Sequence, residues 1–129
     1  IFGICLGMQL LFDSSEEGDL DGLGIISGKV RKFPKNKDYP VPHIGWNKVI
    51  DSTDFFESNN VKYYPRFYFV HSYYVDCVDK SDILGVTEYG NRFTSAVKKD
   101  KTIGVQFHPE KSHGCGILLF QKICGMLSD

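Results

Sequence analysis

A cysteine with glycines two residues away on either side, in Phe2-Gly3-Ile4-Cys5-Leu6-Gly7-Met8-Gln9, demands that a strand turn at once into a helix. The serine form of this pattern places its nucleophile in a strained turn that only small neighbours permit, with the reactive atom raised above the sheet edge. Gly3 and Gly7 are the expected small neighbours here. A free cysteine is mostly protonated at neutral pH, so a reactive Cys5 is expected to gain from the unpaired N–H groups and positive dipole end of the helix that follows. Such a thiol needs a base. Val105-Gln106-Phe107-His108-Pro109-Glu110 offers one, an apolar run ending in a histidine with a carboxylate two residues on. Cys5 as nucleophile, His108 as base and Glu110 as its orienting partner form a possible triad. Taken alone, the glycine-flanked cysteine fits a tight turn around a structural thiol, and a histidine near a strand end is weaker still. Both together, in this order and each in its strand context, favour catalysis.

Gly3-Ile4-Cys5-Leu6-Gly7-Met8-Gln9 and Phe107-His108-Pro109-Glu110 resemble the two signature motifs of class I glutamine amidotransferases. Pro42-His43-Ile44-Gly45-Trp46-Asn47, Phe69-Val70-His71-Ser72-Tyr73-Tyr74, Gly22-Leu23-Gly24 and the Lys111-Ser112 extension narrow the likeness to the glutaminase subunits of imidazole glycerol phosphate synthases. The resemblance runs from Ile1 to about Phe120. It implies an α/β fold of the flavodoxin-like amidotransferase type, a mostly parallel sheet flanked by helices with an antiparallel extension. Members of the family carry strands, helices and a glycine-containing oxyanion loop ahead of the nucleophile. Here Ile1 falls only a few residues before it, so residues 1–129 are expected to be the C-terminal part of a single domain whose upstream strands are missing.

The resemblance also implies roles. Cys5 would attack the side-chain amide carbon of glutamine, the backbone N–H of Leu6 would face the oxyanion, and His108 would pass a proton to departing ammonia. Gln9 and the backbone of Ser72 and Tyr73 would hold the substrate; for Gln9 the plainer alternative is a surface helix residue. His71 is better read as a strand histidine satisfied by the backbone than as a second base. Ammonia released at such a site needs an acceptor, which implies a heterodimer with a TIM-barrel cyclase making imidazole glycerol phosphate for histidine biosynthesis. Trp46, Tyr68 and Lys111 match positions near that interface, with core packing the alternative for the two aromatics. Two other readings stay open: a paralogous amidotransferase feeding surface-sugar synthesis, and an inactive remnant that binds a partner.

Composition fits one soluble enzyme domain. The chain has 129 residues, 42% hydrophobic and 24% charged, with 15 basic against 16 acidic side chains. That balance offers no electrostatic footprint for nucleic acid or anionic lipid. No apolar run is long enough for a membrane span, and the resemblance points to the cytoplasm. Cys5, Cys77, Cys115 and Cys124 are too few for a disulfide framework, and pairing would destroy a nucleophilic Cys5. His108, His113 and Cys115 crowd together, but no second cysteine pair stands at ligand spacing, so no metal and no cofactor are expected.

Periodicity places the motifs. Strands are expected at residues 2–4, 28–33, 41–50, 66–75, 83–89, 93–98 and 102–107, with a hairpin turn at Gly90-Asn91. A helix is expected from Leu6 to about Phe12, and a short one capped by Ser52 or Thr53 through Phe56. Cys115 to Met126 reads as an amphipathic helix with Ile117, Leu118, Phe120, Ile123 and Leu127 toward the core.

Overall fold

The computed structural model describes residues 1–18, 21–50 and 65–127. The short helix expected near Ser52 lies outside them. The chain opens with strand β1 (Phe2–Ile4), turns at Cys5 and enters helix α1 (Leu6–Gln9). β2 (Ser14–Ser15), β3 (Gly28–Lys32), β4 (His43–Lys48), β5 (Arg66–His71), β6 (Tyr73–Cys77), β7 (Ile83–Tyr89), β8 (Asn91–Lys99) and β9 (Thr102–Val105) follow, and α2 (His113–Leu127) comes last.

The main sheet is mixed, in the order β1-β9-β8-β6-β3-β2, with β7 also on β8. β1 runs parallel to β9 and β2 parallel to β3, while the pairings β3·β6, β6·β8, β7·β8 and β8·β9 are antiparallel. The antiparallel extension thus supplies most of the pairings among the described strands. β4 and β5 form a separate antiparallel pair. The expected strand over residues 66–75 is therefore two strands, and Ser72 is where the chain leaves one sheet for the other. Aromatic and β-branched residues run through both halves, so composition carries no mark of the break.

Two glycines set the elbow. Gly3 and Gly104 are register partners on β1 and β9. A Cβ on Gly3 would lie 2.6 Å from the Gly7 carbonyl oxygen, and one on Gly104 would lie 2.5 Å from Met8 Cγ. Together they make the floor onto which α1 drops. Gly7 itself has open space around it, so of the two expected small neighbours only Gly3 is sterically required within the described residues. The helix is also shorter than its apolar pattern suggested: Leu11 and Phe12 donate to the carbonyls of Met8 and Gln9, three residues back, and the chain tightens out of α geometry.

Buried apolar side chains form two clusters. One, around Phe67, Phe69, Phe93, Val105 and Phe107, receives α2; the other, around Met8, Phe12, Val30 and Val75, receives α1. Of the face expected of α2, Phe120, Ile123 and Leu127 turn inward at least in part, and Ile117 and Leu118 do not. Leu119 and Ile123 are buried, but Ile117 and Leu118 are 61% and 57% exposed. The cause is Gly116, where a Cβ would lie 1.9 Å from the Pro109 carbonyl oxygen. That contact fixes the rotation of α2 so that Gly116, Leu119 and Ile123 share the inward stripe. The hairpin β7–β8 turns at Gly90 alone, with φ of 76° and Tyr89 paired to Asn91, one residue earlier than the expected turn.

Candidate active site

Cys5 occupies the elbow with φ 53° and ψ −106°, a conformation that costs a non-glycine residue energy. The surrounding backbone holds it there: the Cys5 N–H donates to the Val105 carbonyl at 2.8 Å, tying the end of β1 to the end of β9. Because β9 runs parallel to β1, the chain leaving Val105 passes beside the nucleophile, and this brings His108 into the site.

The histidine loop is clamped from β5. His108 N–H donates to the Tyr68 carbonyl at 2.9 Å, and the Ser112 hydroxyl donates to the His108 carbonyl while accepting from the Tyr68 N–H. Pro109 to Lys111 form a single 3-10 turn that folds Glu110 back, leaving His108 Nδ1 2.6 Å from Glu110 Oε1. Nδ1 therefore carries the proton toward the carboxylate, and Nε2 is the nitrogen left to accept one.

The thiol and the imidazole share no hydrogen bond among the described residues. Cys5 Sγ lies 3.8 Å from the Val70 carbonyl oxygen, to which it donates, and receives the side-chain amide of Gln106 at 3.5 Å. Its pKa is raised, not depressed. Burial is the main cause, the Leu6 N–H and the Gln106 amide pull the other way, and the Glu110 carboxylate pushes it up further. The expected gain from the following helix is outweighed because α1 has four residues, too few aligned peptides for much dipole.

Gln9 is buried and faces inward. Its Nε2 donates to Gln106 Oε1 at 3.2 Å and toward the Tyr73 carbonyl at 3.5 Å. Gln106, fully buried, thus joins Gln9 to the sulfur. In the sequence Gln106 is one residue of the expected strand over 102–107, and its single mark is an amide within an apolar run, which once buried requires a partner for both amide ends. Ser72 and Tyr73 stand at the sheet switch beside this network. Their carbonyls already accept, Ser72 from Phe33 N–H and Tyr73 from Gln9 and His71. His71 Nδ1 lies 2.8 Å from the Tyr73 oxygen and Nε2 2.9 Å from His43 Nδ1, so backbone holds one ring nitrogen and a second histidine the other.

Trp46, Tyr68 and Lys111 gather at the same end of the molecule. Trp46 and Tyr68 are register partners on β4 and β5, and the half-exposed Trp46 ring stacks on His113 with centroids 5.7 Å apart. Lys111 is exposed in the turn that follows His108. No group of three His, Cys, Asp or Glu side chains converges to hold a metal among the described residues. The four cysteines are unpaired.

Curated relatives match most of the chain in sequence. A subunit of imidazole glycerol phosphate synthase from Methanococcus maripaludis, HisH 2, is 56% identical over 121 residues, covering 94% of this chain and 60% of its own length. The HisH subunit from Nitrosospira multiformis is 50% identical over 124 residues, covering 91% of this chain and 58% of its own. The chain thus spans about 60% of the length of these curated relatives. A solved structure described as a glutamine amidotransferase superposes with a TM-score of 0.63 at 14% identity, over 99% of this chain and 60% of that one, a likeness of fold. Residues 1–123 match the family model described as glutamine amidotransferase class-I, and the chain belongs to that family.

Proposed function

We propose that the complete protein is the glutaminase subunit of an imidazole glycerol phosphate synthase. The observation that carries the reading is the pairing of Cys5, in a positive-φ elbow at the end of β1, with a His108–Glu110 couple carried by the parallel strand β9. The relatives' names support the choice of acceptor pathway.

In this reading His108 Nε2 takes the thiol proton and Sγ forms a bond to the side-chain amide carbon of glutamine. The Leu6 N–H faces the developing oxyanion. Collapse of that intermediate breaks the carbon–nitrogen bond, and the imidazolium returns its proton to the departing ammonia. Water then attacks the thioester, releasing glutamate and restoring the thiol. Glu110 holds the imidazole in one orientation and stabilises its charged form. Gln9 and the backbone of Ser72 and Tyr73 hold the amino-acid end of the substrate. Ammonia passes to a TIM-barrel cyclase docked at the face bearing Trp46, Tyr68 and Lys111.

The test uses the complete protein with its cyclase. Cys5→Ala and His108→Ala each abolish glutamine-dependent synthesis and leave ammonia-dependent synthesis intact, because the acceptor chemistry belongs to the partner. A glutamine-analogue electrophile labels Cys5 and spares Cys77, Cys115 and Cys124. Labelling elsewhere with Cys5 untouched defeats the nucleophile assignment, and ammonia use by a surface-sugar enzyme in place of the cyclase defeats the pathway.

A further inference from the structure

Two buried histidines have no part in the reaction just described. His43 on β4 and His71 on β5 are register partners, 3% and 6% exposed, with His43 Nδ1 2.9 Å from His71 Nε2. Their protons can be assigned from the partners alone. A carbonyl only accepts, so His71 Nδ1, 2.8 Å from the Tyr73 oxygen, carries a proton. In a neutral ring His71 Nε2 then accepts, and His43 Nδ1 must donate to it. His43 Nε2 in turn accepts, and it faces Asn47 Nδ2 at 3.3 Å. The Asn47 amide cannot be turned over, because its Oδ1 accepts from Lys48 N–H and its Nδ2 also donates to the Glu88 carbonyl, both at 2.8 Å. Every donor from Asn47 inward points the same way.

The surroundings keep both rings uncharged. His43 lies between the Phe69 and Tyr89 rings, and His71 packs against Phe33 and Phe93. Burial lowers His43 to about 4 and His71 to about 3, with His43 and His108 further disfavouring charge on His71. At the Asn47 end, Glu88 and Arg92 form an ion pair with each other. At the inner end the Tyr73 carbonyl also accepts from Gln9, whose amide reaches Gln106 and so the sulfur.

We propose that Asn47, His43 and His71 are positioning residues: a one-directional hydrogen-bond relay that holds the Tyr73 carbonyl and, through it, Gln9 and Gln106 in register with Cys5. The kinetic arm of its test rests on the glutaminase reading, and the spectroscopic arm does not.

In the nitrogen-labelled complete protein, both imidazoles are expected in the Nδ1–H form, the minor tautomer of an unconstrained histidine side chain, and unchanged from about pH 5 to about pH 8, where an ordinary histidine titrates. An Nε2–H form of either ring, or titration in that range, overturns the relay. Asn47→Asp supplies the second arm. A carboxylate only accepts, so the chain is complete only if His43 takes up a proton and donates in both directions. Glutaminase kcat/KM of this variant is expected near wild type at about pH 6 and about tenfold lower by about pH 9, as His43, its affinity for protons raised by the new carboxylate, loses that proton. Asn47→Ala removes one link without reversing the others, and its smaller loss has no such falling limb. Equal losses with parallel pH profiles in the two variants overturn the relay in favour of a packing role. A complete protein without glutaminase activity refutes the catalytic reading instead, and the tautomers then decide the relay by themselves.

Discussion

Gln106→Leu tests whether the elbow thiol depends on its amide neighbour. The glutamine is fully buried, so a leucine of similar volume fills the site without opening a cavity. What it removes is polar: the donor 3.5 Å from Cys5 Sγ and the acceptor 3.2 Å from Gln9 Nε2. A hydrogen bond to a charged group contributes about 1.5–3 kcal/mol. The sulfur is only partly buried and the contact is long, so the lower end applies, and about 1.4 kcal/mol is a factor of about ten in thiolate population. Since burial already holds the Cys5 thiol above its ordinary range, the loss falls on a scarce species.

The assay is the rate of Cys5 alkylation by iodoacetamide against pH in the complete protein. At neutral pH the variant should react about tenfold more slowly, with the two rates converging at alkaline pH where the thiol is ionised in both. Gln106→Glu preserves the shape but sets a carboxylate against the sulfur, and it should slow the neutral rate further. Superimposable pH profiles for wild type and both variants would refute the reasoning, since no change in thiolate population would then follow from loss of the donor.

Two more outcomes follow from the fold. Gly3→Ala drives a methyl to 2.6 Å from the Gly7 carbonyl, backbone against backbone, and should cost about 1–3 kcal/mol in a urea titration, whereas Gly114→Ala, with open space around it, should cost nothing; equal midpoints for the two variants would contradict the tight floor under α1. His43 and His71 take protons more readily unfolded, near the ordinary value of 6.5, than folded, at about 4 and about 3. Below that value the unfolded chain binds protons that the folded chain does not, so stability is full above it and falls as pH drops toward those folded values. Urea midpoints between about pH 7 and about pH 4 should decline more steeply for wild type than for a His43→Phe, His71→Phe double variant, and parallel lines would show that the rings are not held neutral.

The elbow and the histidine loop were legible because each is a local constraint. Gly3 answers a contact a few residues away, and Glu110 reaches His108 through a single turn begun by Pro109. The Gly90 turn was readable for the same reason, to within one residue. What stayed hidden depends on which surfaces meet. α2 carries apolar residues on more than one face, and only the seat of Gly116 on Pro109 selects Leu119 and Ile123 over Ile117 and Leu118. Ser72 marks the change of sheet, yet its neighbours are good strand formers on both sides, and the break appears only once β5 has chosen β4 and β6 has chosen β3 and β8. The sulfur's environment is of the same kind. A helix after a cysteine argues for an easily ionised thiol, but α1 ends after one turn and Cys5 sinks between Val70 and Gln106. Burial by residues far along the chain then outweighs the local dipole, and the side chains that offset it, Gln106 directly and Gln9 through it, are ordinary amides whose chemistry is decided by what the sheet places opposite them.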